Sequence, residues 1–135
     1  MINNIETENF GEHFMLDGYY GEETRLNDKD LVLGCINDLV SKLDMHKLAE
    51  PSIFFAPGND QKDPGGWSAF VVIEESHISM HTFPKRGFLS MDAYSCKNGM
   101  NTSLIKDCVT EAFKLKETET NFVKRGTKYP AENIS

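Results

Sequence analysis

The sequence has no long apolar run. Its longest, Ala69 to Ile73, is five residues, far short of the roughly 20 that a membrane-spanning helix needs. The N-terminal Met1-Ile2-Asn3-Asn4-Ile5-Glu6 has no charged-then-apolar leader pattern. Cysteine is scarce: Cys35, Cys96 and Cys108 are too few and too scattered for a disulfide framework or a zinc site. That usage points to a reducing cytoplasm. Positive charge is in deficit as well, with 14 Lys and Arg against 21 Asp and Glu and a formal net charge of -7. A nucleic-acid binder would need clustered cations, so that class is excluded. No repeat or low-complexity tract stands out. What is left reads as a single domain, 1–135, large enough to bury a real core.

Residues 1–9 read as a loose lead-in, and the aromatic-rich Phe10 to Tyr20 as a first strand ending in a turn at Gly18 and Gly21. Asp17 interrupts that strand. It is either a carboxylate at a turn or a substrate contact. Over residues 28–47, Val32, Cys35, Ile36, Leu39, Val40 and Leu43 recur at three- and four-residue spacing, which predicts a helix capped by Asn27 or Asp28. Short strands follow at Ser52 to Ala56, Trp67 to Glu74, His77 to Phe83 and Phe88 to Cys96, with a loop from Pro57 to Gly66. Alternation in the last of these puts Leu89, Met91 and Ala93 on one face and Phe88, Ser90, Asp92, Tyr94 and Cys96 on the other. Thr102 to Lys116 carries a second stripe, Leu104, Ile105, Cys108, Val109, Ala112 and Phe113, with Asn101 or Thr102 as cap. Cys35 and Cys108 fall inside these stripes and read as small core residues. Glu119 to Lys124 is a last strand, and the polar tail from Gly126 frays. The order β-α-β-β-β-β-α-β predicts an α+β fold: a two-layer α/β sandwich with a mostly antiparallel sheet and both helices on one face. The uncovered sheet face calls for a partner, and a homodimer supplies one.

The chemistry concentrates in Glu74-Glu75-Ser76-His77-Ile78-Ser79-Met80-His81-Thr82-Phe83-Pro84. A serine preceded by two acids and followed by two histidines exceeds what a structural strand requires. In a regular strand Ser76 shares a face with Ile78 and Met80, opposite His77, Ser79 and His81. Five residues of strand separate Ser76 from His81 by about 16 Å. Their cooperation requires a sharp, non-ideal bend at Glu75-Ser76, storing about 1–3 kcal/mol of backbone strain.

This decapeptide from Glu75 to Pro84, with Asp92, with Cys96 twenty residues after the serine, and with glycine-rich sequence leading to Ser68, resembles the prokaryotic type of S-adenosylmethionine decarboxylase. The resemblance is dense from Gly66 to Cys96 and collinear over most of the chain. It implies that the chain cuts itself between Glu75 and Ser76 into 1–75 and 76–135. Ser76 attacks the Glu75 carbonyl to form an ester. Elimination leaves a dehydroalanine, which hydrolyses to a covalent pyruvoyl group that takes the substrate as a Schiff base. His81 is the base for the elimination, a role suited to a side chain with an ordinary pKa of about 6.5. Ser68 orients the processing site, and Cys96 returns a proton to the substrate carbon after carbon dioxide leaves. A buried, purely structural thiol is the competing reading of Cys96.

Members that use S-adenosylmethionine have Trp-Pro-Glu where this chain has Phe83-Pro84-Lys85. The aromatic holds the adenine and the acid takes the ribose hydroxyls. Phe83 can still stack on a base, whereas Lys85 cannot accept from hydroxyls. The resemblance therefore implies a pyruvoyl-dependent decarboxylase of polyamine biosynthesis acting on S-adenosylmethionine. Arginine or ornithine is the alternative small-molecule substrate, with Asp17 or Glu74 receiving its distal cation. A catalytically dead regulatory homologue is the alternative of another class, and such a chain would stay uncut.

Overall fold

The computed structural model describes residues 7–59 and 62–131. The elements are β1 (Thr7–Glu8), β2 (Gly11–Tyr19), α1 (Glu23–Leu26), α2 (Lys29–Lys42), β3 (Ser52–Ala56), β4 (Gly66–Ile73), β5 (Ser76–Phe83), a 3₁₀ turn (Pro84–Arg86), β6 (Phe88–Ser95), α3 (Thr102–Phe113), β7 (Glu117–Arg125) and β8 (Tyr129–Pro130). Six strands form one antiparallel sheet in the order β3-β4-β5-β6-β2-β7. Strands β3 to β6 form a meander. The chain then crosses over β2 to place β7 on the far edge. Both long helices are crossovers, α2 from β2 to β3 and α3 from β6 to β7.

The helices form where the apolar stripes predict. Val32, Cys35, Ile36, Leu39 and Val40 of α2 are buried, as are Ile105, Val109 and Phe113 of α3. The Asp28 carboxylate accepts from the Leu31 N–H and the Asn101 side chain from the Leu104 N–H, satisfying one orphan donor at each start. Against these stripes pack Phe14 and Leu16 of β2, Val71 and Ile73 of β4, Ile78 and Met80 of β5, and Leu89 and Met91 of β6. Each large apolar side chain so buried contributes about 1.5–3 kcal/mol. Both helices therefore lie on one face of the sheet.

Four expectations are corrected. The first helix stops at Lys42 and the second at Phe113, because Leu43 and Lys114 leave helical geometry, Lys114 with φ of 55°. A one-turn helix, α1, follows the first strand; it buries Leu26 beneath a sequence too short to show periodicity. The lead-in and tail are not both loose: Thr7 and Glu8 pair antiparallel with Pro130 and Tyr129, anchored by Phe10 N–H and Tyr129 N–H, both donating to the Gly126 carbonyl. The outermost ends of the lead-in and tail, and part of the loop after Pro57, lie outside the described residues.

The other face of the sheet is open. Direct cross-strand partners share a face, so the register defines its rows. Ser68, His81, Ser90 and Asp17 form one row, and Phe70, Ser79, Asp92 and Met15 the next. Val72, His77, Tyr94, His13 and Val123 form a third. Phe54, Phe70, Val72 and Val123 are exposed on this face.

Candidate active site

Strand β4 reverses into β5 through the two residues Glu74 and Glu75, and Ser76 is the first residue of β5, paired with Ile73 and Ser95. Two-residue hairpins ordinarily take their positive φ within the turn. Here it falls on Ser76, with φ of 152°, a conformation that L-residues rarely adopt and that stores about 1–3 kcal/mol. The sharp, strained unit expected at Glu75-Ser76 is present.

Neighbouring segments hold this unit from two sides. The Cys96 backbone N–H donates to the Glu75 carbonyl oxygen at 2.8 Å. Cys96 itself directly follows β6 and is exposed. The Glu75 carboxylate accepts from the His46 backbone N–H at 3.1 Å and meets His46 Nδ1 at 3.0 Å. The Glu74 N–H donates to the His46 carbonyl, and Leu48 N–H to Val72. Burial pushes the Glu75 carboxyl up, but the hydrogen bonds from His46 outweigh it and hold it below its usual value. The same hydrogen bond, with the Glu75 charge, raises His46. Glu74 is exposed and reaches His46 only at 3.7 Å. Behind Cys96, the buried Glu12 carboxylate accepts from the Gly99 and Met100 N–H groups at 3.1 and 2.9 Å, fixing the loop that follows the thiol.

The remaining candidate residues lie toward the opposite end of the sheet. His81 is five residues along β5, about 16 Å at strand rise, and on the open face. Its Nδ1 is 2.9 Å from the Ser68 hydroxyl, with which it pairs directly across the strands. Gly66 makes this register possible: a Cβ there would sit 1.9 Å from the Thr82 carbonyl oxygen. Asp17 is in the same row, opposite Ser90 and Glu119. Phe83, at the end of β5, lines a cavity of about 680 Å³ with Tyr19, Pro64, Phe88, Lys62 and Arg86. Phe83 and Phe88 ring centres are 5.5 Å apart, and Tyr19 and Phe88 5.4 Å. Lys85 lies outside this cavity, in a shallow cleft with Glu23, Asn27 and Phe55. One protomer thus carries two separated groups: Glu74, Glu75, Ser76 and Cys96 at one end of β5, and Ser68, His81, Asp17 and Phe83 toward the other.

Between them, on the open face, Asp92 collects three donors. The Ser79 hydroxyl donates to it, and His13 Nε2 and His77 Nε2 lie 2.5 and 3.2 Å from one oxygen. Burial raises the Asp92 carboxyl, and these hydrogen bonds more than offset it, leaving the pKa lowered. An Arg125 guanidinium N–H donates to His13 Nδ1 at 3.1 Å, so the ring proton sits on Nε2, toward Asp92. His13, His77 and Asp92 are close enough to share a metal ion. With Nε2 protonated, however, they form a hydrogen-bonded hub and not a ligand set. His46, Glu12 and this hub escaped the sequence reading. Their partners are 13 to 112 residues away in the chain, and no local pattern marks them.

A terminal keto group made from Ser76 fits these surroundings: the serine is strained, the carbonyl before it is already polarised by an N–H, and the residue that donates that N–H is an exposed cysteine. Residues 12–126 match the family described as S-adenosylmethionine decarboxylase. The S-adenosylmethionine decarboxylase proenzyme of Thermococcus kodakarensis is 28% identical over 96% of this chain and 86% of its own length. That of Pyrobaculum aerophilum is 31% identical over 76% and 78%. The crystal structure of the adenosylmethionine decarboxylase from Aquifex aeolicus has the same fold, with a TM-score of 0.75 at 21% identity over 93% of this chain and 98% of that one. Matched over most of its length in sequence and in the order of its helices and strands, the chain belongs to the S-adenosylmethionine decarboxylase family.

Proposed function

We propose that the chain cuts itself between Glu75 and Ser76, giving 1–75 and 76–135, and that the pyruvoyl group made from Ser76 decarboxylates S-adenosylmethionine. The observation that carries this is the Cys96 N–H on the carbonyl oxygen of Glu75, next to a serine whose φ is 152°. When the Ser76 oxygen adds to that carbonyl carbon, negative charge develops on an oxygen that already has a donor aimed at it. The strain at Ser76 is released as the peptide bond breaks.

His81 takes the Ser76 α-proton in the elimination, and Ser68 orients its ring through Nδ1. Within one protomer His81, about 16 Å along β5 from Ser76, is too far away to do this. A second copy resolves the difficulty. If two open faces pack about a two-fold axis, each brings the Ser68–His81 end of one sheet against the Ser76–Cys96 end of the other. The same packing covers Phe54, Phe70, Val72 and Val123. The active species is therefore a homodimer of processed protomers, with two shared sites.

In the family the pyruvoyl group supplies the electron sink for the carbanion that decarboxylation leaves. Cys96, exposed beside that carbon, delivers the proton. The aromatic cavity of Phe83, Tyr19 and Phe88 has the size and character to take a purine ring. Asp17 and Glu74 are assigned to receive the cation of the substrate. Lys85 stands outside that cavity, while Lys62 and Arg86 line it together with Asp63, so the preference for S-adenosylmethionine over arginine or ornithine rests on the family.

Three measurements test this. Intact mass of the wild-type protein should show two fragments, and that of Ser76→Ala one uncut chain; an uncut wild-type chain overturns the reading and leaves a regulatory homologue. Processed protein incubated separately with S-adenosylmethionine, arginine and ornithine should release carbon dioxide only from the first. Co-expressing Ser76→Ala with His81→Ala should restore cutting of the His81→Ala chain if the sites are shared.

A further inference from the structure

On the helical side of the molecule, away from all the residues above, Cys35 of α2 and Cys108 of α3 face each other. Cys35 is 3% exposed and packed in the core, whereas Cys108 is half-exposed. Both line an open cleft of about 850 Å³ between the two helices. The two thiols are close enough to interact with each other. Among the described residues no third His, Cys, Asp or Glu completes a metal-sized cluster with them. Packing alone explains Cys35, but it does not explain a second, partly exposed thiol on the wall of the same cleft.

We propose that Cys35 and Cys108 are an oxidisable thiol pair, Cys108 attacking a hydroperoxide and Cys35 resolving it, so that the product disulfide ties α2 to α3. In the first step the Cys108 thiolate attacks the outer peroxide oxygen. The O–O bond breaks, an alcohol or water leaves, and Cys108 becomes a sulfenic acid. In the second, the Cys35 sulfur attacks the Cys108 sulfur and water leaves. The thiols lose two electrons and two protons, and the peroxide is reduced.

The surroundings assign the roles. The hydrogen bond from Cys35 and the Lys42 cation bring the Cys108 thiol down to about 7, against the opposing pull of burial and Asp38. Thiolate is therefore present at neutral pH, in a cleft that a small peroxide can enter. The other charges on the cleft wall are Asp30, Asp107 and Glu111. They repel anionic oxidants and admit neutral ones. Cys35 is pushed up, by its hydrogen bond to Cys108 and by burial, so it waits as a thiol.

The pair has a consequence that depends on the proposed self-cutting. Cys35 belongs to 1–75 and Cys108 to 76–135, so the disulfide would covalently rejoin the two pieces of a processed protomer. The test is to treat the purified wild-type protein with hydrogen peroxide and map the peptides without reduction. A linked peptide pair containing Cys35 and Cys108, and in processed protein a single non-reducing band that splits on reduction, is expected. In Cys35→Ser, Cys108 should be trapped as a sulfenic acid that reacts with dimedone. Sulfinic acid on Cys108 of the wild type with Cys35 still reduced, or oxidation confined to Cys96, overturns the proposal. The peptide link is read whether or not the chain is cut, so failure of self-cutting and failure of the thiol pair are distinguishable.

Discussion

Replacing Ser76 by glycine and, separately, by alanine isolates the backbone strain at the cutting site. Neither variant has a hydroxyl, so both stay uncut and can be compared as whole chains. Alanine must adopt the φ of 152° imposed between Ile73 and Ser95, at a cost of about 1–3 kcal/mol. Glycine adopts it freely, but its greater freedom in the unfolded chain takes back about 0.5–1 kcal/mol. Ser76→Gly should therefore be the more stable by about 0.5–2 kcal/mol. For a domain of this size that is a melting temperature roughly 2–8 °C higher. Urea titration of both variants gives the difference directly, provided the slopes agree. Equal midpoints, or a more stable alanine variant, would mean that the turn relaxes around Ser76 and that no strain is available to the cutting reaction.

Three further outcomes follow from the same geometry. Cys96→Ala keeps the backbone N–H on the Glu75 carbonyl, so fragments should still form while turnover falls on the order of 10²-fold or more, as loss of a general acid does; a variant with full turnover names another proton donor. Gly11→Ala would place a Cβ 2.2 Å from the Ser95 carbonyl oxygen and 2.9 Å from the Cys96 Cα, so it should lower stability by about 1–3 kcal/mol and reduce fragment yield; unchanged melting and cutting would refute the close approach. The His46–Glu75 contact should depend on pH in both directions. His46 is raised, so its share is complete below the ordinary imidazole value of 6.5 and lost as pH rises through the raised one. Glu75 is lowered, so its share is complete above 4.5 and lost as pH falls through the lowered one. Stability of Ser76→Ala against pH should show this plateau, and adding His46→Ala should flatten it; identical profiles would show that the contact holds nothing.

Much of the fold was readable before any coordinates. The stripes of α2 and α3 and the alternation of Leu89, Met91 and Ala93 identify buried faces, because burial imposes the 3.6- and 2-residue periods directly. The caps were legible to within one residue, Asn27 or Asp28 and Asn101 or Thr102, because an orphan N–H needs an acceptor within three residues; Asp28 and Asn101 are the ones that accept. The β1–β8 pairing was not, since two short polar segments carry no period.

The candidate site divides in the same way. Ser76, His81, Cys96, Ser68 and Phe83 could be named because the motifs that carry the family resemblance are local to one stretch, Gly66 to Cys96. Their distribution over two ends of the sheet, the Cys96 N–H on the Glu75 carbonyl, the grip of His46 and the meeting of Cys35 with Cys108 could not. Side-chain period tells a strand which face to bury, and reactive residue types tell what chemistry is on hand. Which strands become neighbours is decided by crossovers through α2 and α3, and those contacts exist only once the whole sheet has closed around its core.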